Sequence, residues 1–227
     1  MTNILLLAVG DGYIDKLFKY YSKIPFDYNV TLYTSDKSKV DRIIKENDIT
    51  NCNVYDYGSS KFSYFDKFKL TINLANKLEE TILYVDVGRI EEITDDIWQM
   101  DLSNIKNISF NSTWGGISSA NDLINFQSEY LESNYFNNIL DTFDVDLKEV
   151  PVFLERVFIV PFKESMKTVL NELEIVRTIF EQNSKTKQNV YSGLGNGEGL
   201  GMGYVLTKLK EPYNNFDTYK RKINNII

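Results

Sequence analysis

The run Ile4-Leu5-Leu6-Leu7-Ala8-Val9 offers no polar residue to either face of a strand, so a strand made from it must be buried on both sides. Ile82-Leu83-Tyr84-Val85 makes the same demand. Sheets that satisfy it are mostly parallel and covered by helices on both faces. The sequence between these runs supplies the helices. Ile14, Leu17, Phe18 and Tyr21 recur at i, i+3, i+4 and i+7, one stripe of an amphipathic helix that Pro25 stops. Strands are expected over 28–33 and 53–57. Thr34-Ser35-Asp36 caps a helix carrying Val40, Ile43 and Ile44 inward, and Phe68, Ile72, Ala75 and Leu78 mark another. The expected fold is α/β, one domain over residues 1–227 with a mostly parallel central sheet and helices on both faces.

After residue 90 the pattern loosens. Thr94-Asp95-Asp96 reads as the start of a short helix with Trp98, and 107–111 as a strand running into Ser112-Thr113-Trp114. A helix is expected within 121–131, and 157–160 is an apolar strand ended by Pro161. Met166, Val169, Leu170, Leu173, Val176, Ile179 and Phe180 mark the clearest amphipathic helix. Glycine then occupies every second position from Gly193 to Gly203, read as a loop with positive φ or close backbone approach to a ligand.

Composition removes whole classes of chemistry. The 227 residues include no histidine and one cysteine, Cys52, so imidazole bases, Ser–His pairs, thiolate zinc sites and internal disulfides are excluded. Acid–base work falls to carboxylates, Lys or Tyr, and any metal held by oxygen is a hard ion such as Mg²⁺ or Mn²⁺. A net charge of −7 argues against nucleic acid and anionic membrane surfaces as partners. Apolar runs too short to span a bilayer, the lack of a signal-peptide pattern and a lone buried thiol lead to the expectation of a cytoplasmic protein with no membrane-spanning segment.

In open parallel sheets, ligands bind beyond the carboxyl ends of the strands. That rule selects Val9-Gly10-Asp11-Gly12-Tyr13, Thr34-Ser35-Asp36 and Asp86-Val87-Gly88-Arg89. Gly10 and Gly12 let backbone approach a nucleotide and Tyr13 can stack on its base, though a plain strand-to-helix turn fits as well. Asp36 suits a ribose contact or a helix cap. Asp86 is the sharpest candidate, because a carboxylate ending a buried strand is costly unless it is paired or binds a cation. Lys67 and Lys69 can reach a phosphate or simply be solvated helix charges. Glu198 is the ionisable residue of the glycine-rich stretch, and Glu155-Arg156 precedes a strand.

The chain resembles GT-A-type glycosyltransferases, which use nucleotide sugars. The likeness rests on the opening strand over 3–9 and on the helix with Lys67 and Lys69 leading into Ile82-Leu83-Tyr84-Val85-Asp86-Val87-Gly88. It continues with Phe110-Asn111-Ser112, with Leu154-Glu155-Arg156-Val157-Phe158, and with a long helix before Gly197-Glu198-Gly199. The resemblance implies a nucleotide-binding half over 1–90 and an acceptor half over 91–227. Val9, Gly10, Asp11, Tyr13 and Asp36 would lie at the nucleotide of a nucleotide-diphosphate sugar. Asp86 would contact the ribose or a divalent cation, Mn²⁺ or Mg²⁺, as metal ligand. Lys67, Lys69 or Arg89 would stand in if no ion binds. Glu198 would be the carboxylate near the anomeric carbon, Trp114 a sugar platform, and a glycan, lipid or protein the acceptor. The family's Asp-x-Asp places a second carboxylate where this chain has Gly88. Two alternatives stay open: a transferase-like binding module without catalysis, and another nucleotide-binding transferase such as a methyltransferase.

Overall fold

The structure, a computed structural model, describes residues 2–58, 63, 65–111, 119–123, 125, 137–183 and 197–216. Its elements are β1 (Asn3–Ala8), α1 (Asp11–Tyr20), β2 (Asn29–Thr34), α2 (Lys37–Glu46), β3 (Cys52–Asp56), α3 (Asp66–Leu78) and β4 (Ile82–Val85). There follow α4 (Asp95–Trp98), β5 (Ile108–Asn111), α5 (Asn137–Leu140), β6 (Leu154–Val160), α6 (Ser165–Asn183), α7 (Glu198–Leu209) and β7 (Tyr213–Phe216). All seven strands form one sheet, ordered β3-β2-β1-β4-β6-β5-β7. β1, β2, β3 and β4 are parallel, β6 runs against both β4 and β5, and β7 is parallel to β5. The sheet is therefore mostly parallel, with one strand reversed, and it runs through both halves of the sequence.

The two apolar runs occupy the places their composition demands. Ile4, Leu5, Leu6 and Ile82 are fully buried, each side chain worth about 1.5–3 kcal/mol on transfer from water. Their alternate residues feed two cores. Leu6, Leu83 and Val85 pack with Ile14, Leu17 and Val40 of α1 and α2. Leu5, Ile82 and Tyr84 pack on the other face with Phe68, Ile72, Val169 and Leu206 of α3, α6 and α7. This division follows from the strand order. The chain steps from β1 to β2 to β3 in one direction and then returns past β1 to β4. Right-handed crossovers put helices of opposite steps on opposite faces.

Most elements lie within a residue or two of their expected limits. Helix α1 ends at Tyr20, and a 3₁₀ turn, Tyr21–Lys23, leads to Pro25. Cys52 lies in the edge strand β3, and burial pushes its thiol up to about 11, in keeping with a packing role. One expectation fails, and one strand, β7, lies where none was expected. The glycine-rich stretch is not all loop: Gly199, Gly201 and Gly203 lie inside α7, and among the described glycines of the stretch Gly197, at φ 64°, fits the positive-φ reading, Gly193 and Gly195 lying outside the described residues. Packing is the reason. A Cβ on Gly203 would lie 1.8 Å from the Pro151 carbonyl oxygen, and one on Gly201 2.9 Å from Phe65 Cε1. Gly199 and Leu200 are likewise buried. Close approach is real, but to protein.

Gly203→Ala is expected to destabilise the protein by about 3 kcal/mol in denaturant unfolding, because backbone must move. Gly12→Ala in α1, where a Cβ meets nothing within 4 Å, should be neutral or stabilising by up to about 1 kcal/mol. Equal effects at the two sites would refute this account of α7 packing.

Candidate functional site

The carboxyl ends of β1 and β4 are neighbours at the point where strand order reverses. The chain leaves β1 into α1 and leaves β4 into a 3₁₀ turn, Val87–Glu92, and the two pack together on one face; the reversal of strand order is where ligands bind in open parallel sheets. Gly10 turns the chain out of β1 at φ 96°, ψ 146° and starts α1. Its N–H donates to Ser35 Oγ at 2.8 Å, tying the end of β1 to the end of β2. Tyr13 stands in the first turn of α1 with half its surface exposed. On the β4 side, the Asp86 N–H donates to the Arg156 carbonyl at 2.7 Å, extending the pairing with β6. Asp86 Oδ1 accepts from the Gly88 N–H at 2.7 Å. A Cβ on Gly88 would lie 3.0 Å from that oxygen and 3.7 Å from Tyr13 Cε1. Tyr13, Gly88 and Asp86 thus share one small space.

The other sequence candidates divide. Val9 is partly buried beside Gly10, and Asp11 is exposed. Asp11 lies 3.5 Å from Lys39, which also pairs with Asp15 at 2.8 Å. The hydrogen bond to Asp15 holds the Lys39 ammonium above its usual range. Asp36 caps α2, its Oδ1 accepting from the Lys39 N–H at 2.8 Å. Arg89 pairs with Glu92 at 2.6 Å and Lys69 with Glu174 at 2.7 Å. Lys67 is no solvated surface charge: it is 3% exposed, in the first turn of α3. Because α3 feeds into β4, that turn lies at the carboxyl edge. Glu198 opens α7, and the parallel strand β7 that follows places this helix start at the same edge. Asn111 ends β5 there; Ser112 and Trp114 fall outside the described residues.

Sequence reasoning placed Ser35 at the end of β2 without its tie to Gly10, and missed a polar cluster linking Tyr57, Asp66 and Arg177. The Tyr57 hydroxyl donates to Asp66 Oδ2, and Arg177 Nη1 donates to Asp66 Oδ1 at 3.2 Å. Arg177 stands at helical spacing from Glu174 and Glu181, so in sequence it reads as an ordinary member of surface pairs. Only the long-range contact with Asp66 distinguishes it.

Among the described residues, no group of three or more acidic, Cys or His side chains gathers to hold a metal ion. The donor set at Asp86, a single carboxylate already accepting from Gly88, does not fit a divalent ion held by protein ligands. No helix among the described residues is long and apolar enough to cross a membrane.

No protein-family model matches the chain, and no curated protein matches it. Among solved structures it is similar to the glycosyltransferase GlyE of Streptococcus pneumoniae TIGR4, at TM-score 0.49 and 12% identity, over 95% of this chain and 45% of that one. A 4-diphosphocytidyl-2C-methyl-D-erythritol synthase gives TM-score 0.48 and 9% identity over 97% and 90%. S. aureus TarS gives 0.42 and 12% over 91% and 56%. This chain spans less than half the length of the GlyE chain, and the likeness is one of fold.

Burial, then the hydrogen bond to Asp66, pushes the Tyr57 hydroxyl up from 10.0 to about 12. The stability linked to this raised group is present below pH 10 and lost as pH rises toward 12. Tyr57→Phe should cost about 1 kcal/mol at pH 8, and the gap to the parent should narrow between pH 10 and 12 in urea unfolding. A gap that widens over that range would contradict the assignment.

Proposed function

We propose that this protein is a nucleotide-sugar-dependent glycosyltransferase, moving a sugar from a nucleotide-diphosphate donor to a glycan-type acceptor. The observation that carries the reading is the strand-order reversal itself, where the Gly10 turn, the half-exposed ring of Tyr13 and the carboxylate of Asp86 come together. Such reversal points bind nucleotides because backbone can approach closely and the start of a helix faces the ligand. Tyr13 stacks on the base, the backbone of Val9 to Asp11 borders it, and Asp86 takes a ribose hydroxyl with its second oxygen. Asp36, already a cap, contributes at the rim.

Transfer forms a bond from an acceptor oxygen to the anomeric carbon and breaks the bond from that carbon to the diphosphate. The acceptor proton must leave, and negative charge grows on the nucleoside diphosphate. Lys67 is the cation we assign to that charge. Lys67 lies in a sheltered place in the first turn of α3, at the carboxyl edge, where charge stabilisation is strong. A lysine buried this far is costly unless an anion, from protein or ligand, meets it. Glu198, at the start of α7 on the same edge, is the carboxylate we assign to the anomeric centre: base if configuration inverts, stabiliser of the cationic transition state if it is retained. Gly88 has a structural reason of its own. A side chain there crowds the Asp86 carboxylate, whose turn uses the Gly88 N–H.

Hydrolysis of a panel of UDP-, GDP-, CDP- and ADP-sugars, with and without Mn²⁺, tests the reading. One donor should be turned over, and Lys67→Met and Asp86→Ala should each slow it by about 10²-fold or more. Stabilisation by S-adenosylmethionine with no response to any nucleoside diphosphate would sink the proposal.

A further inference from the structure

The ladder between β4 and β6 runs one rung past Val85 and Val157. Asp86 is still extended, at φ −66° and ψ 122°, and its N–H reaches the Arg156 carbonyl at 2.7 Å. Asp86 and Arg156 are therefore direct neighbours at the carboxyl edge, and residues opposite one another on antiparallel strands share a face. The rung before them on that face shows the same pairing, with Tyr84 and Phe158 stacked at 4.6 Å. Phe68, in the first turn of α3, lies 4.7 Å from Phe158 and brings the start of that helix over the same face. Opposite charges so placed normally pair, for about 0.2–1 kcal/mol. These two do not. Asp86 Oδ1 turns back to the Gly88 N–H. Arg156 is partly buried, yet among the described residues its guanidinium donates no hydrogen bond and meets no carboxylate. Arg177, by contrast, is held by Asp66 and Glu181.

We infer that Arg156 takes a phosphate of the nucleotide donor beside Asp86, and that the protein therefore binds its nucleotide without a divalent cation. The inference rests on the nucleotide-sugar reading above and is independent of Lys67. A guanidinium drawn partly out of water with its donors unmet is costly until an anion arrives, and its planar fork matches two phosphate oxygens at once. The donor set points the same way. One carboxylate committed to Gly88 is a poor ligand set for a divalent ion, and a fixed positive charge on the facing strand repels one.

Calorimetry with UDP, GDP, CDP and ADP, in EDTA and again in Mn²⁺, tests this. One diphosphate should bind the parent protein in EDTA, with Mn²⁺ tightening it by less than about tenfold. Arg156→Gln should weaken that diphosphate by about tenfold or more, the worth of a charge-assisted contact. The thermal midpoint of the free variant should hold or rise, because no protein contact is lost. Arg156→Lys should recover part of the affinity, since an ammonium keeps the charge without the fork. Should Arg156→Gln fail to fold, Arg156→Lys carries the test, binding the diphosphate about threefold or more weaker than the parent. A diphosphate that binds only in Mn²⁺, or equally well to the variants, or that weakens only as the thermal midpoint falls, would overturn the role of Arg156 and leave the transferase reading standing. A parent protein that binds no diphosphate under either condition would instead overturn that reading and this inference with it.

Discussion

The reversal of strand order between β1 and β4 is the constraint on which the rest of the molecule depends. Two strands with no polar face require cover on both sides. Right-handed crossovers supply it by sending α1 and α2 to one face and α3 to the other. Where the directions part, β1 and β4 end side by side at the carboxyl edge. The Gly10 turn, the exposed ring of Tyr13 and the end of β4 at Asp86 are consequences of that geometry. Glycine at position 10 answers a local need, since φ of 96° is strained for any residue with a Cβ.

Electrostatics at this edge run against the character of the whole chain. The protein carries a net charge of −7, yet among the described residues a lysine, Lys67, is the charged side chain that is buried at this edge. Acidic residues nearby serve the fold: Asp36 caps α2, Asp66 joins three elements, and Asp86 spends one oxygen on its own turn. Lys67 is buried, whereas Lys69 and Arg89 are held in ion pairs near the surface.

The second helix layer is assembled by removing side chains. In α7 the alternate glycines bring backbone against Pro151, Phe65 and Val176, so this helix lies closer to its neighbours than any other residue permits. The benefit is positional. Glu198 and the first turn of α3 are set at the same end of the same layer by contacts that tolerate little movement.

Much of the first ninety residues was legible because continuous apolar runs and stretches of 3.6-residue period alternate cleanly there and the strand ends announce themselves in Gly10, Asp36 and Asp86. Asp86 as the end of a buried strand, and its place on one edge with Gly10 and Asp36, followed from apolar runs that admit only a covered parallel sheet. The glycine stretch was harder, since spacing of two suits a loop, and only three-dimensional packing shows why a helix needs it. The sequence by itself determined the sheet type, the two helical layers and the chemistry excluded by absent histidine. Tertiary structure decided which charges matter. Whether Lys67 is buried and Lys69 paired, or Arg177 meets Asp66, depends on helices far apart in the chain coming to the same edge, and no local period encodes that distance.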